Sequence, residues 1–169
     1  PCGTSCLHTK TGENREKHTS SDIRNIVLGG HAGAGKTILA EAMLFKAKMV
    51  SRLGAISEGT TTSDFEKEEK EYQYSLGSSL MHLPHGGKEI TVIDTPGQVD
   101  FQGSMIAGMA AGDVAVICVN APRGVELMTR KAWDFANHYG LGKIILITRM
   151  DGQNVHAEEI LSGTPKAFC

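Results

Sequence analysis

The sequence predicts an α/β domain of three layers, in which helices cover both faces of a mostly parallel central sheet. Two observations support this. Short, continuous apolar runs alternate with helical patterns, as in consecutive strand–helix–strand units. In addition, a glycine-rich stretch at residues 29–35 directly follows the first apolar run and precedes the first helical pattern. A chain of 169 residues has room for one such domain with a proper core.

Each buried element is predicted from its own pattern. Residues 23–30 (IRNIVLGG), 112–119 and 143–148 are short apolar runs bounded by turn residues, which is typical of buried strands. Residues 37–52 and 126–139 carry apolar side chains at helical spacing without an internal proline or glycine, so we expect two helices there.

The remaining segments are predicted from weaker signals. Residues 72–83 and 89–93 have the composition of two strands joined by a PHGG turn. Residues 54–71 are rich in turn formers and then densely charged, so we expect an exposed, mobile segment. Its charge run from residue 66 to 71 is typical of a solvated helix face. Residues 1–22 are polar and without period, which predicts a disordered tail or an artificial remnant ahead of a domain over residues 23–169.

Composition excludes several function classes. Seventeen basic and 19 acidic residues give a formal net charge of −2, so we expect no direct DNA binding. The longest apolar run, residues 114–119, is far shorter than a membrane span, and the N-terminus lacks the apolar region of a secretory signal. The four cysteines are too scattered for a disulfide framework. We therefore expect a cytoplasmic monomer that does not contact membranes.

The most specific motif lies between the first strand and the first helix and fits G-x-x-x-x-G-K-[ST]. Glycines allow backbone N–H groups to approach phosphate oxygens, and the helix N-terminus adds positive charge. Lys36 would neutralise the β- and γ-phosphates, the Thr37 hydroxyl would ligate Mg²⁺, and we expect His31 to face outward. The alternative is a glycine-rich turn that binds nothing. The predicted nucleoside triphosphate site of this phosphate-binding loop (P-loop) comprises Gly30, His31, Ala32, Gly33, Ala34, Gly35, Lys36 and Thr37.

The second motif, Asp94-Thr95-Pro96-Gly97, follows the apolar run that ends at residue 93. At the end of a buried strand beside the P-loop strand, Asp94 would hold Mg²⁺ through water. Gly97 could donate its backbone N–H to a γ-phosphate and let the loop move when that phosphate leaves. Alone, this motif is also typical of an ordinary turn. Together with the P-loop lysine it indicates a nucleotide switch.

The third motif, Thr148-Arg149-Met150-Asp151, follows the run KIILIT. A carboxylate at Asp151 could accept hydrogen bonds from N1–H and N2–H₂ of guanine, whereas adenine offers no matching pair of donors. The stem of Arg149 could pack along the base. The alternative is an aspartate that caps the next turn.

In this order, the three motifs resemble those of the GTPase superfamily, and the finer sequence is similar to the translational GTPases, elongation factor G most of all. The stretch LGAISEGTTTSDFEKEE is similar to that family's segment between the first helix and switch I, and IDTPGQVDF to its switch II. The spacing from Phe101 through Trp133 to Asp151 also follows the family pattern. Over about residues 23–155, the resemblance implies a P-loop NTPase fold of the GTPase type, GTP or GDP with Mg²⁺ as ligands, and the ribosome as partner.

Three positions depart from the family pattern. Residues 72–75 (YQYS) stand where switch I of the family has Arg-Gly-Ile-Thr, so Ser75 would replace the threonine that ligates Mg²⁺ beside Thr37 and Asp94. Gln98 stands where the family has histidine, and glutamine at that place orients the attacking water in other GTPases. Gln98 and Lys36 are therefore the predicted catalytic residues. Arg149 replaces a lysine, and these changes indicate a divergent paralogue of elongation factor G.

The resemblance also implies a partial, C-terminally incomplete nucleotide-binding domain, because the family's Ser-Ala box does not occur in residues 152–169. The leading prediction is an enzyme, a Mg²⁺-dependent GTPase that serves as the switch of an elongation factor G-like protein on the ribosome. The altered switch I leaves an alternative, a GTP-binding switch module with little or no hydrolysis. A second alternative, an ATP-using P-loop protein, is disfavoured by Asp151.

Overall fold

The computed structural model describes residues 19–63, 69, 71, 74–152, 163 and 168. In this part of the chain, five strands form one sheet with the order β2-β3-β1-β4-β5. The strands are β1 (Ile23–Gly30), β2 (Ser79–His85), β3 (Lys88–Asp94), β4 (Val114–Asn120) and β5 (Gly142–Thr148). All neighbours pair in parallel except β2, which pairs antiparallel with β3 at one edge. The mostly parallel sheet predicted from the sequence is confirmed.

Helices cover both faces of this sheet, which confirms the three predicted layers. The helices are α1 (Lys36–Lys46), α2 (Gln102–Ala111) and α3 (Leu127–His138). Successive side chains of a strand point to opposite faces, so Val27 packs in the cluster under α2 and α3 while Leu28 packs in the cluster under α1. Met105, Met109 and Met128 are fully buried between helices and sheet. None of the described helices is long and apolar enough to cross a membrane.

The first helix ends earlier than the predicted residue 52. The Ala47 N–H bonds to the Met43 carbonyl at 2.9 Å, and Lys48 then adopts a left-handed φ of 59°, which ends the helix. The apolar residues beyond it lie outside the helix, with Met49 exposed and Val50 against the core. The predicted helix was therefore too long, because the residues that follow the end of α1 still carry apolar side chains at helical spacing.

The hairpin has its predicted turn but a later start. Gly86 and Gly87, both with positive φ (56° and 74°), form the two-residue connection. Strand β2 begins at Ser79 rather than at residue 72, because the N–H groups of Leu76 and Gly77 bond to a carboxylate instead of a neighbouring strand. Residues 72 and 73 lie outside the described part of the chain.

Helix α2 has no counterpart among the predicted elements. Its sequence, QGSMIAGMAA, contains two glycines, which obscured the helical pattern. Gly108 allows the helix to approach the sheet, since a Cβ there would lie 2.8 Å from Cγ2 of Thr95. Close packing of α2 on the sheet thus requires glycine, the residue type whose low helix propensity obscured the helix in the sequence.

The prediction that residues 54–71 are exposed is wrong for several residues that the structure describes. Gly54, Thr61, Ser63 and Glu69 are buried, although they belong to the segment predicted to be exposed and mobile. Ser20–Asp22, the last residues of the predicted tail, form a 3₁₀ turn. There, Nζ of Lys88 lies 2.7 Å from Oδ1 of Asp22 and holds the pKa of that carboxyl well below its usual range. Residues 1–18 lie outside the described part of the chain.

Candidate functional site

The candidate site lies at the carboxyl ends of the parallel strands. Strands β1, β3, β4 and β5 end at Gly30, Asp94, Asn120 and Thr148, and parallel strands bring these ends to one edge of the sheet. The P-loop leaves β1 there and enters α1 at Lys36, as the sequence predicts.

Positive φ angles at three positions shape the P-loop. Gly30, Gly33 and Gly35 have φ of 139°, 75° and 85°, a region that other residues rarely adopt. Gly30 also has no room for a side chain, because a Cβ would lie 2.5 Å from the carbonyl oxygen of Cys118. The glycines of the motif are therefore required by the backbone.

Two side chains from neighbouring strand ends hold carbonyl groups of the P-loop. Nδ2 of Asn120 lies 3.4 Å from the Gly33 carbonyl oxygen, and the Thr148 hydroxyl donates to the Ala34 carbonyl at 3.0 Å. Asn120 was not predicted as a site residue, because one asparagine at a strand end has no distinctive sequence signal. The first backbone N–H groups of α1 lack acceptors within the helix, so the N-terminus of α1 is suited to donate hydrogen bonds to phosphate oxygens.

Lys36 lies inside the loop that it follows. Its side chain is 6% exposed, and Nζ donates to the carbonyls of Gly30 (3.1 Å) and His31 (3.0 Å). Burial lowers the pKa of this lysine, and the nearby Asp94 carboxylate opposes that effect. The same burial raises the pKa of the Cys118 thiol to about 12. An ammonium group held in this position is placed to meet phosphate oxygens at the mouth of the loop.

The Asp94-Thr95-Pro96-Gly97 segment packs directly on the P-loop. The Ala32 N–H donates to the Gly97 carbonyl at 3.1 Å. A Cβ on Gly97 would lie 2.5 Å from Nζ of Lys36. Thr95 is fully buried and its hydroxyl donates to the Leu28 carbonyl at 2.6 Å, so its side chain secures the segment to β1. Pro96 is buried as well.

Oxygen atoms from three parts of the chain meet beside Lys36. The Thr37 hydroxyl donates to Oδ2 of Asp94 at 2.7 Å and lies 3.4 Å from the Ser75 hydroxyl. Hydroxyl and carboxylate oxygens are hard donors that suit Mg²⁺, which completes its shell with water and phosphate oxygens. Among the described residues, no group of three or more acidic, histidine or cysteine side chains is arranged to hold a metal ion.

A cavity adjoins these oxygens and receives residues from both predicted switch regions. It is lined by the P-loop and by Ile56, Tyr74, Ser75, Thr95, Gly97 and Gln98. The structure thus brings Gln98 and Ser75 to the same cavity as the P-loop. Ile56 was not predicted as a site residue, because its contribution depends on how the segment after α1 folds back.

The third motif is divided by the structure. The Thr148 hydroxyl bonds within the P-loop region, whereas Arg149 and Asp151 are exposed beyond the end of β5. Arg149 has a left-handed φ of 56° and begins the turn that places Asp151 after the strand. Both residues thus lie outside the lining of the cavity, just after the end of β5.

His31 does not face outward, in contrast to the prediction. Its Nε2 lies 3.6 Å from Oε1 of Glu126, and its backbone N–H points to the Thr129 hydroxyl at 3.4 Å. Both partners belong to the start of α3, so the histidine side chain joins the P-loop to that helix. His31 is not among the residues that line the cavity, but its backbone carbonyl accepts from Nζ of Lys36.

Known proteins share both this sequence and this fold. The family model of the elongation factor Tu GTP-binding domain matches residues 21–167. An elongation factor G-like protein of Mycobacterium tuberculosis is 38% identical over 146 residues, which is 86% of this chain and 20% of the relative. A mitochondrial ribosome-releasing factor 2 of Drosophila willistoni is 36% identical over 132 residues, which is 78% of this chain and 18% of the relative. The chain thus spans about a fifth of the length of these curated relatives.

Solved structures agree with these relatives. A crystal structure of a Thermus thermophilus protein superposes with a TM-score of 0.83 at 33% identity, covering 87% of this chain and 22% of that one. A bacterial selenocysteine-specific elongation factor gives a TM-score of 0.63 at 21% identity over 85% of this chain and 22% of that one, a likeness of fold alone. The predicted resemblance to translational GTPases is confirmed, and the chain belongs to the family of the elongation factor Tu GTP-binding domain.

Proposed function

We propose that this chain binds GTP and GDP with Mg²⁺ and hydrolyses the γ-phosphate, as the switch of an elongation factor G-like protein. The observation that carries the proposal is the oxygen cluster of Thr37, Asp94 and Ser75 beside the buried ammonium of Lys36. A P-loop alone binds phosphate, but this cluster joins it to both segments that would respond to the γ-phosphate.

The chain's own groups divide the work of binding. Backbone N–H groups at the N-terminus of α1 face the phosphates, and Lys36 exchanges its two loop carbonyls for phosphate oxygens. Thr37 and Ser75 hold Mg²⁺ through their hydroxyls, and Asp94 holds its water shell. When bound, Mg²⁺ supplies positive charge that offsets the charge developing on the phosphate oxygens.

Hydrolysis requires a group that orients water on the far side of the γ-phosphate. Gln98 lines the cavity next to Gly97, so its amide oxygen can accept a hydrogen bond from the attacking water and direct the water oxygen inward. Gly97 turns its backbone N–H to the γ-phosphate by rotation of the Pro96–Gly97 peptide. The hydrogen bond from the Ala32 N–H goes to the Gly97 carbonyl, which belongs to the next peptide unit. The same movement makes the segment sensitive to loss of that phosphate.

Guanine selection is assigned to the exposed end of β5. Asp151 accepts two hydrogen bonds from the guanine edge, and Arg149 packs its stem along the ring. Thr148 couples this region to phosphate binding, since its hydroxyl holds the Ala34 carbonyl. A base bound here would contact residues that directly follow the strand whose Thr148 supports the P-loop.

The partner follows from the relatives. They are named elongation factor G-like protein and ribosome-releasing factor 2, so we propose that the full-length protein acts on the ribosome. Several relatives are named mitochondrial, and the cytoplasmic location stays a prediction, as do the monomeric state and the lack of DNA binding.

Two measurements test the proposal. A fluorescent GDP analogue is titrated with Mg²⁺ and displaced by GTP or by ATP; displacement by GTP alone supports guanine selection, and equal displacement by ATP contradicts it. Single-turnover hydrolysis of GTP then compares the wild type with Gln98→Ala. Tight GTP binding without hydrolysis, even with ribosomes present, would favour the alternative of a GTP-binding switch module that controls a partner without hydrolysis. The altered switch I, with Ser75 in place of threonine, leaves that alternative open.

A further inference from the structure

A buried carboxylate on α1 lies outside the proposed binding machinery. Glu41 is 1% exposed, although glutamate in a globular protein is nearly always solvated unless it is paired. It lies one helical turn after Thr37, so the two side chains share a face of the helix. Burial of a carboxylate costs free energy that burial of an apolar side chain does not cost, so its presence here requires an explanation.

Both oxygens of Glu41 bind backbone N–H groups of the loop formed by residues 54–62. Oε2 accepts from Gly54 at 3.3 Å, and Oε1 accepts from Thr62. The loop is closed on itself by the Thr60 hydroxyl, which accepts from the Ala55 N–H at 2.9 Å. Glu41 therefore fixes the beginning and the end of this loop against the helix that carries Thr37.

This loop is tightly fitted at Gly54. A Cβ there would lie 2.7 Å from the Thr60 carbonyl oxygen and 2.8 Å from Oε2 of Glu41. Glycine is therefore needed at this position for the carboxylate to reach both N–H groups.

The loop leads directly to the phosphate end of the site. Its Ile56 lines the cavity, and the carbonyl of Ser63, the residue that follows the loop, accepts from the Ser79 hydroxyl at 2.9 Å. A second buried carboxylate acts nearer the metal ligand, since Glu69 is 4% exposed and accepts from the Leu76 N–H at 2.9 Å. Leu76 follows Ser75, whose hydroxyl lies 3.4 Å from that of Thr37.

We propose that Glu41 is a positioning residue that holds the loop of residues 54–62 against α1, so that Ile56, and Ser75 further along the chain, reach the Mg²⁺ and γ-phosphate end of the site. Glu69 holds Leu76, the residue that follows Ser75. Because the β-phosphate is held by the P-loop itself, loss of the Glu41 contacts weakens Mg²⁺-dependent binding of the triphosphate and leaves diphosphate binding in place. This inference rests on the proposed function.

The test compares Glu41→Gln with Glu58→Gln in this 169-residue chain. An amide has one acceptor oxygen, so glutamine at 41 turns its NH₂ against one backbone N–H. Glu58 is a matched control in the same segment, because its carboxylate is largely exposed and only approaches the exposed Arg52 at 3.8 Å. The readouts are the Kd for a fluorescent GDP analogue, the Mg²⁺ midpoint for a non-hydrolysable GTP analogue, and the rate of tryptic cleavage after Arg52.

For Glu41→Gln we expect the Mg²⁺ midpoint with the GTP analogue to rise about tenfold, and the Kd for GDP to stay within about twofold. Cleavage after Arg52 should accelerate, because the neighbouring loop opens more often. Glu58→Gln should match the wild type in the first two measurements. Gly54→Ala is the second variant, for use if Glu41→Gln folds poorly. Its Cβ would displace the loop from the Glu41 carboxylate, so we expect the same changes in the three measurements.

Equal effects of Glu41→Gln on GDP and on the Mg²⁺ midpoint would overturn the inference, because they would indicate a general loss of stability. A Glu41→Gln protein indistinguishable from Glu58→Gln would overturn it as well. In both cases the wild type still binds nucleotide. Failure of the wild type to bind GDP is a different result, which would overturn the proposed function and this inference together.

Discussion

Substitution of Gly97 by alanine tests how closely the second motif must approach the P-loop. The added Cβ would lie 2.5 Å from the Ala32 nitrogen and from Nζ of Lys36, and 2.6 Å from the His31 carbonyl carbon. Real Cβ atoms do not approach heavy atoms this closely, so something must shift. The lysine terminus can move at little cost, but the two backbone atoms cannot move without displacing the loop.

The magnitude follows from these contacts. Forcing a methyl group into a well-packed region costs about 1–3 kcal/mol. Separation of the segments also breaks the hydrogen bond from the Ala32 N–H to the Gly97 carbonyl, worth about 1 kcal/mol. Gly97 is not among the glycines with positive φ, so alanine adds no backbone strain. We expect the free energy of unfolding to fall by about 3 kcal/mol, the midpoint of the overpacking range plus the lost hydrogen bond.

Urea unfolding followed by far-UV circular dichroism measures this change, and a fluorescent GDP analogue measures binding. The control is Gly103→Ala in α2, where a Cβ meets nothing within 4 Å and alanine should stabilise the helix by about 0.5–1 kcal/mol. We expect GDP binding by Gly97→Ala to weaken and that by Gly103→Ala to remain. Unchanged stability and binding in Gly97→Ala would show that the two segments do not pack as described.

Three further substitutions test single features of the site and the fold. Thr37→Val keeps the shape of the side chain but removes the hydroxyl that bonds to Asp94, so GDP binding should lose its dependence on Mg²⁺ when titrations with Mg²⁺ and with EDTA are compared. Lys36→Met should raise the thermal midpoint without nucleotide at pH 7 while lowering GDP affinity at least about tenfold. The sign follows because burial lowers the pKa of Lys36, so the unfolded chain binds the proton more tightly and the charged side chain opposes folding. Lys48→Gly relieves a left-handed φ of 59° after α1 and should stabilise the fold by about 1 kcal/mol in urea unfolding. An unchanged or lower midpoint in either of the last two variants would contradict its argument.

Most of the sheet and the phosphate end of the site could be predicted because their signals are local. A buried parallel strand is a short apolar run, and β1, β3, β4 and β5 each match one to within about two residues. Since parallel strands end at one edge, residues just after separate apolar runs had to come together. Thr37 and Asp94, far apart in sequence, do meet at 2.7 Å.

Other features could not be predicted because their causes are tertiary. The end of α1 depends on the left-handed turn at Lys48, and α2 contains the glycine that its close packing on Thr95 requires. His31 lies in a motif whose variable positions were expected to face outward, yet it contacts Glu126 and Thr129 at the start of a helix that is distant in sequence. In each case the deciding partner is remote in sequence and has no distinctive pattern of its own.

The buried glutamates show a more general reason why site prediction stops at the ligands. Metal and phosphate ligands are limited to a few side-chain types at fixed spacings, so Thr37 or Asp94 can be recognised from sequence. A carboxylate that places those ligands binds backbone N–H groups, and every residue except proline offers one. Glu69 therefore stands in a charge run that resembles any solvated helix face, although it is buried against Leu76 and Gly77. The residues that position a switch segment can be found only once the fold shows which carboxylates are dry.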